Sequence, residues 1–240
     1  AEAFGRSAAI LLGDLLLAWS EEAFDEALEL TPSESARHAA RREFTRMRSE
    51  VMLGQYLDVL EEQSWKTYPE AEQLGRAQRV IVYKSAKYSV EAPLRIGAAL
   101  GGGGDAQVAG LHAFGLPLGI AFQLRDDLLG VFGDSAVTGK PSGDDLREGK
   151  RTVLVALARA NLPSNAVRFV DELLGEPELT DVQVRMLQDT LRDSGAVDEV
   201  EASIRRHVER ATHALHEAPI AQSAREQLLV LIDNVIQRTA

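Results

Sequence analysis

Chain breakers in this sequence are few and far apart. The long segments between them place apolar residues at helical rather than alternating spacing, which admits long helices and leaves no room for a sheet. Residues 5–30 carry apolar side chains around most of the circumference, which predicts a central, buried helix. Thr31-Pro32-Ser33-Glu34 reads as a capping box with proline at the first helical position, opening a second helix to about Gln63. A third helical region follows the break at Tyr68-Pro69 and reaches about Leu100. Within it Val80-Ile81-Val82-Tyr83 has strand propensity, but its flanks are helical and no turn isolates it. Gly101 to Gly104 form a connector. From Ala106 to Phe132 runs another long apolar helix, in which Gly115, Gly119 and Ala121 permit close packing and Pro117 predicts a kink. Residues 133–149 are a polar loop. Residues 150–240 read as four or five amphipathic helices broken near Pro163, Gly175-Glu176-Pro177, Gly195 and Pro219. A length of 240 residues is ample for one large core, so the expectation is a single all-α domain over residues 1–240.

Charge and composition then narrow the function classes. Lys and Arg number 26 against 37 Asp and Glu, a net charge of −11, which argues against a nucleic-acid partner because phosphate backbones require a clustered positive field. With no cysteine there is no disulfide framework, thiolate metal site or Cys nucleophile, and a reducing cytoplasm suits the chain. The apolar stretch Ala8 to Trp19 is interrupted by Asp14 and is short for a membrane span, and no signal peptide is evident. The helical pattern begins with no cap before it, which predicts that further residues precede Ala1.

Three clusters look chemical. The first is the aspartate pair Asp126-Asp127 at the end of the apolar helix, with Gln123 three and four residues before it and near the same side. Adjacent carboxylates repel, so such a pair calls for a cation or donors, and Mg²⁺ takes carboxylate and phosphate oxygens together. The plainer reading is a solvated helix end with Arg125 as ion-pair partner. The second is the loop that follows, where Lys140, Arg147, Lys150 and Arg151 supply amines and guanidiniums able to neutralise a diphosphate. Its plainer reading is an ordinary charged surface loop. The third is Tyr83-Lys84-Ser85-Ala86-Lys87-Tyr88, where Lys84 and Ser85 hold an anion in a cleft, or else Lys84 is solvated and Lys87 snorkels. His207, His213 and His216 lack metal-ligand spacing and read as surface or packing residues. Met47 and Met52 read as core. Asp14 is expected to be a buried, hydrogen-bonded group or to face a cleft.

Taken in order, these segments resemble the trans-polyprenyl diphosphate synthases, in particular the bacterial geranylgeranyl diphosphate type. The resemblance is carried by Gly5-Arg6-Ser7 with Leu12-Gly13-Asp14-Leu15-Leu16, by Lys84 to Tyr88 with Glu91-Ala92-Pro93-Leu94, by Gly119 to Asp134, by Thr138-Gly139-Lys140-Pro141, and by Asp144 to Thr152. It implies a helical bundle of the isoprenoid synthase type around a central apolar cavity, usually a homodimer. The implied activity is Mg²⁺-assisted ionisation of an allylic diphosphate and its condensation with isopentenyl diphosphate into a linear polyprenyl diphosphate. It further implies that Asp126 and Asp127 form the second aspartate-rich motif and ligate Mg²⁺, and that these two with Lys84 are the catalytic residues. Lys84, Ser85, Gln123, Lys140 and Lys150 would bind the substrate diphosphate. The family's motif is often Asp-Asp-x-x-Asp, whereas the third position here is Gly130. Asp134 would then be a helper and Asp145 an outer-shell partner. The family's first aspartate-rich motif lies upstream of the Gly-Arg-Ser segment and is not in these residues, so the chain is expected to lack N-terminal helices and to be incomplete for catalysis. Two alternatives stand beside this reading: a non-catalytic regulatory subunit of a synthase, and a class I terpene cyclase.

Overall fold

A computed structural model describes residues 2–134, 139 and 141–237. The described residues are helical throughout and contain no strand. Helix α1 spans Glu2–Glu29 and α2 spans Glu34–Ser64, followed by a 3₁₀ turn at Trp65–Thr67. Helix α3 (Glu70–Val80) continues without a break through a π-helical segment, Ile81–Glu91, into α4 (Ala92–Leu100). Then come α5 (Asp105–Phe132), the short α6 (Asp144–Glu148), α7 (Val153–Asn161), α8 (Ser164–Leu173), α9 (Asp181–Asp193), α10 (Ala196–Glu217) and α11 (Gln222–Gln237).

Helix α5 is the axis of the core. Leu111, Phe114, Leu118, Ala121, Leu124, Leu128 and Val131 recur every three or four residues along it and are all buried. It packs against α10 on one side and the π-helical segment on another, and α2 covers the outer face of that segment. Two glycines set how closely these helices approach. A Cβ on Gly119 of α5 would lie 2.6 Å from the Ala86 carbonyl oxygen, and one on Gly54 of α2 would lie 2.6 Å from Lys84 Cα. The π-helical segment is thus gripped by backbone contacts from both neighbours. Its own winding has a local cause in Pro93, which has no N–H to give the Ser89 carbonyl, and just before it the Ala92 N–H reaches back five residues to Lys87.

The helix breaks fall where the sequence puts them, except that Asp144–Glu148 forms a short helix inside the expected loop 133–149, and Val80 to Tyr83 is helical. Helix α5 runs on through Pro117. Three expectations need correction. Helix α1 is not buried: Phe4, Leu11, Leu12, Leu16 and Trp19 are all exposed, and Asp14 with them. A helix apolar all round has no single docking face, and contacts of its C-terminal part help to hold it here. There Phe24 stacks on Phe44 with ring centroids 4.0 Å apart, Arg48 pairs with Glu21 at 2.6 Å, and Leu28 packs on Ala40 and Ala99. The cap of α2 is Ser33 rather than Thr31: it accepts from the Ala36 N–H at 3.3 Å, and the helix begins at Glu34, so Pro32 precedes the cap instead of opening the first turn. Met52 is 59% exposed rather than core, since it lies on a face of α2 that no described element covers.

An apolar cavity of about 520 Å³ lies between the Ser89–Leu94 stretch, Leu118 and Phe122 of α5, and Leu231 of α11. By length and composition both α1 and α5 would suffice to cross a membrane, but α5 serves here as the core helix.

Candidate active site

Helix α5 ends at Gly133, whose extended backbone breaks the helical path. Its last turns therefore present Gln123, Asp126 and Asp127 at the mouth of the bundle. The π-helical segment alongside presents Lys84 and Ser85. A sharp turn at Gly149, which has φ +75°, reverses the chain after α6 and delivers Lys150, Arg151 and Thr152 to the same place. These residues line one cavity of about 210 Å³, together with Asp58 of α2.

Three carboxylates (Asp58, Asp126, Asp127) thus share a small space with three cations (Lys84, Lys150, Arg151). Lys84 donates to Asp58, an ion pair that joins the π-helical segment to α2. Gln123 Nε2 donates to Asp127 Oδ1 at 2.8 Å. Asp127 is 7% exposed, and burial pushes its carboxyl up to about 7 against the pull of the Gln123 hydrogen bond, with Asp145 and Asp126 adding to the rise. Asp145 is also buried and also raised by desolvation, although the Lys150 ammonium that donates to it opposes this. Burial works against the charge on Lys150, but Asp145 and Glu148 together keep it firmly protonated.

The structure brings together Lys84, Ser85, Gln123, Asp126, Asp127 and Lys150 of the sequence-derived set. Lys140, with Thr138, lies outside the described residues. Asp134 is exposed and does not line the cavity. The Asp145 carboxylate fills the space a side chain at Gly130 would need, so a Cβ there would overlap it. Arg125 is not the partner of the aspartates. It forms a two-pronged ion pair with Glu201 of α10, which leaves Asp127 buried among other carboxylates. Lys87 pairs with Glu50 at 2.6 Å, outside the cavity. Among the described residues no cluster of three or more His, Asp or Glu side chains forms a metal site, and the three late histidines join none.

Sequence reasoning missed Asp58 and Thr152, whereas Arg151, named with the lysines of its loop, does line the cavity. Asp58 had one readable sign: with Glu61 and Glu62 it forms an acidic stripe at three- and four-residue spacing on α2, suited to face a lysine helix.

The donor set fits a hard divalent cation. Mg²⁺ is commonly held by one or two carboxylates and completes its shell with water and substrate phosphate. Asp126 and Asp127 are such a pair, and a buried carboxylate whose proton is retained to about pH 7 is one whose charge lacks sufficient compensation from the protein alone.

An all-helical bundle whose core helix delivers paired carboxylates to a cluster of amines has the charge pattern of a protein that handles phosphorylated substrates. Residues 1–190 match the family profile described as polyprenyl synthetase, and the chain belongs to that family. It is 33% identical to the geranylfarnesyl diphosphate synthase of Aeropyrum pernix over 98% of this chain and 71% of that protein. Among solved structures it resembles the geranylgeranyl pyrophosphate synthase of Corynebacterium glutamicum, complexed with isoprenyl diphosphate and magnesium, with TM-score 0.90 and 37% identity over 99% of this chain and 65% of that one. A polyprenyl synthase of Caulobacter crescentus, complexed with calcium and isoprenyl diphosphate, gives TM-score 0.81 and 29% identity over 98% of this chain and 67% of that one. The chain thus spans about two-thirds of the length of these relatives.

Proposed function

We propose that this protein is a prenyltransferase that condenses isopentenyl diphosphate with an allylic diphosphate to make a linear polyprenyl diphosphate. The observation that carries the reading is the convergence of Asp126 and Asp127 with Lys84, Ser85 and Lys150 on one cavity from three separate elements. Mg²⁺ bound by Asp126 and Asp127 would supply Lewis-acid stabilisation to the departing diphosphate. Lys84 and Lys150 place ammonium groups where negative charge accumulates as the allylic carbon–oxygen bond breaks. Ser85 and Gln123 add neutral donors, with Gln123 also orienting Asp127 through its hydrogen bond. Lys140 extends this set on the resemblance alone. Asp58 holds Lys84 in place until a diphosphate displaces it. We assign the whole chain to one domain and place the protein in the cytoplasm, which its cysteine-free sequence suits.

The similarity to diphosphate synthases favours chain elongation over the cyclase and regulatory-subunit alternatives. Incubating the complete protein with Mg²⁺, isopentenyl diphosphate and an allylic primer should yield a linear diphosphate. A cyclic hydrocarbon would establish the cyclase, and product appearing only after a second protein is added would establish the regulatory subunit.

A pH dependence follows from Asp127. An ion held by this carboxylate must displace the proton retained to about pH 7. Divalent-cation affinity should therefore rise as pH climbs through that value. Calorimetry at pH 6, in buffers of different ionisation heat, should show close to one proton released per ion bound, falling towards none at pH 8.5. Equal release at both values would exclude Asp127 as a ligand.

On the resemblance we assign a homodimer, in which a second copy would cover the exposed apolar circumference of α1. Acidic residues Glu21, Glu22, Asp25 and Glu26 along its second half disfavour a bilayer as the occupant. Sedimentation of the protein as a monomer at micromolar concentration would remove this assignment.

A further inference from the structure

Of the three cations that line the 210 Å³ cavity, two have carboxylate partners. Lys84 is held by Asp58, and Lys150 by Asp145 and Glu148. Arg151 differs. Its Nε and Nη1 are buried with no hydrogen-bond partner, and it forms no ion pair with any described residue. Its guanidinium carbon lies 3.7 Å from the centroid of the Trp65 ring, and Trp65 is itself buried. Arg159 approaches the same ring at 4.6 Å but is satisfied by Asp171 and Gln73.

The backbone fixes Arg151 as firmly as the indole fixes its side chain. It sits between the Gly149 turn and Thr152, whose hydroxyl caps α7 by accepting from the Val155 N–H at 3.4 Å. Burial, reinforced by the Arg159 charge, lowers its pKa to about 10, so it stays cationic at neutral pH. A desolvated guanidinium without a counter-ion is unfavourable. Stacking on an indole offsets part of that cost but leaves the charge unmatched. A space of about 20 Å³ behind it, bordered by Glu61, Trp65 and Gln73, has room for one water molecule. A water there would satisfy an N–H group without neutralising the cation.

We propose that Arg151, braced on Trp65, is a further anion-binding residue of this cavity, its planar donor fork taking phosphate oxygens of the diphosphate group. This rests on the diphosphate reading above. Arg151 then supplies a cation that need not first abandon a carboxylate, as Lys84 must leave Asp58.

The test uses the complete protein, Mg²⁺ and inorganic pyrophosphate, with affinity read by calorimetry. Arg151→Gln should weaken pyrophosphate binding at least tenfold, and Arg151→Lys should fall between it and the parent. Lys84→Ala serves as the reference for the site itself. If Arg151→Gln binds within twofold of the parent while Lys84→Ala loses tenfold or more, this proposal falls and the diphosphate site stands. If Lys84→Ala binds as the parent does, or the parent does not bind, the diphosphate reading falls and takes this proposal with it. The protein has only two tryptophans, Trp19 and Trp65, which permits a second readout. In a Trp19→Phe background, saturating pyrophosphate should change Trp65 emission, and adding Arg151→Gln should abolish that change. An undiminished change in the double variant would overturn the proposal, whatever either substitution does to stability.

Discussion

Asp127→Asn is expected to reduce turnover by about a thousandfold or more while making the unliganded protein more stable. The two effects share one cause. Asp127 is buried beside Asp126 and near Asp145, and its carboxyl holds a proton to about pH 7 in the fold against an ordinary value of 3.8. A folded-state pKa raised in this way means that the fold favours the neutral acid. Its contribution to stability is present below about pH 4 and is lost as pH rises towards 7, because the unfolded chain gives up its proton first. The loss is on the order of 2–4 kcal/mol. Asparagine has nearly the same shape, keeps a partner for Gln123 and never ionises. The melting temperature of Asp127→Asn should therefore match the parent at about pH 4 and below, exceed it increasingly up to pH 7, and keep that lead at pH 8. Added Mg²⁺ should narrow that gap by stabilising only the parent. A variant that melts below the parent at pH 8 without metal would show that the carboxylate is better compensated than its surroundings indicate.

Gly54→Ala should be among the most damaging conservative changes in the chain. Ala is the better helix former by about 1 kcal/mol, and by propensity alone the change would stabilise α2. Sterics reverse the sign. The new methyl would press on the backbone of Lys84 and Tyr83 across the helix crossing, and backbone has no rotamer with which to yield. Overpacking of this kind costs about 3 kcal/mol, roughly 10 °C in melting temperature for a chain of this size. The push falls on the Lys84 backbone itself and displaces that residue from its place in the cavity wall, so pyrophosphate affinity should fall together with stability. Gly97→Ala is the control, since nothing lies within 4 Å of a Cβ there. It should be neutral or slightly stabilising. Equal melting temperatures for the two variants would mean that the crossing is softer than its geometry implies.

The helices, their breaks and most of the cavity's charged residues are legible from one-dimensional spacing. Asp126, Asp127 and Gln123 share a helix face by arithmetic, and the lysines betray themselves among apolar neighbours. What remains hidden depends on contacts between distant segments. Asp58 gains meaning only when α2 crosses the π-helical segment at Gly54. Arg125 looks like a partner for its neighbours in sequence until Glu201, far along the chain, takes both prongs of its guanidinium. Gly130 reads as a missing aspartate, whereas in space it is the gap into which Asp145 folds. The π-helical winding leaves no periodic signature, because it shifts hydrogen bonds by one residue without changing which residue types are present. The exposure of α1 was illegible for a different reason. An apolar circumference states that something covers the helix and is silent on whether the cover belongs to the same chain.

The 28 residues of α1 extend about 42 Å, and most of the large apolar side chains along that length are exposed. A single helix in water is only marginally favourable, so its order is bound up with whatever wraps it. If that wrapping is a second copy, folding and association are one equilibrium. Thermal midpoints measured on dilute and concentrated samples would then differ, and an active-site variant and an α1 variant would be separable by that criterion alone.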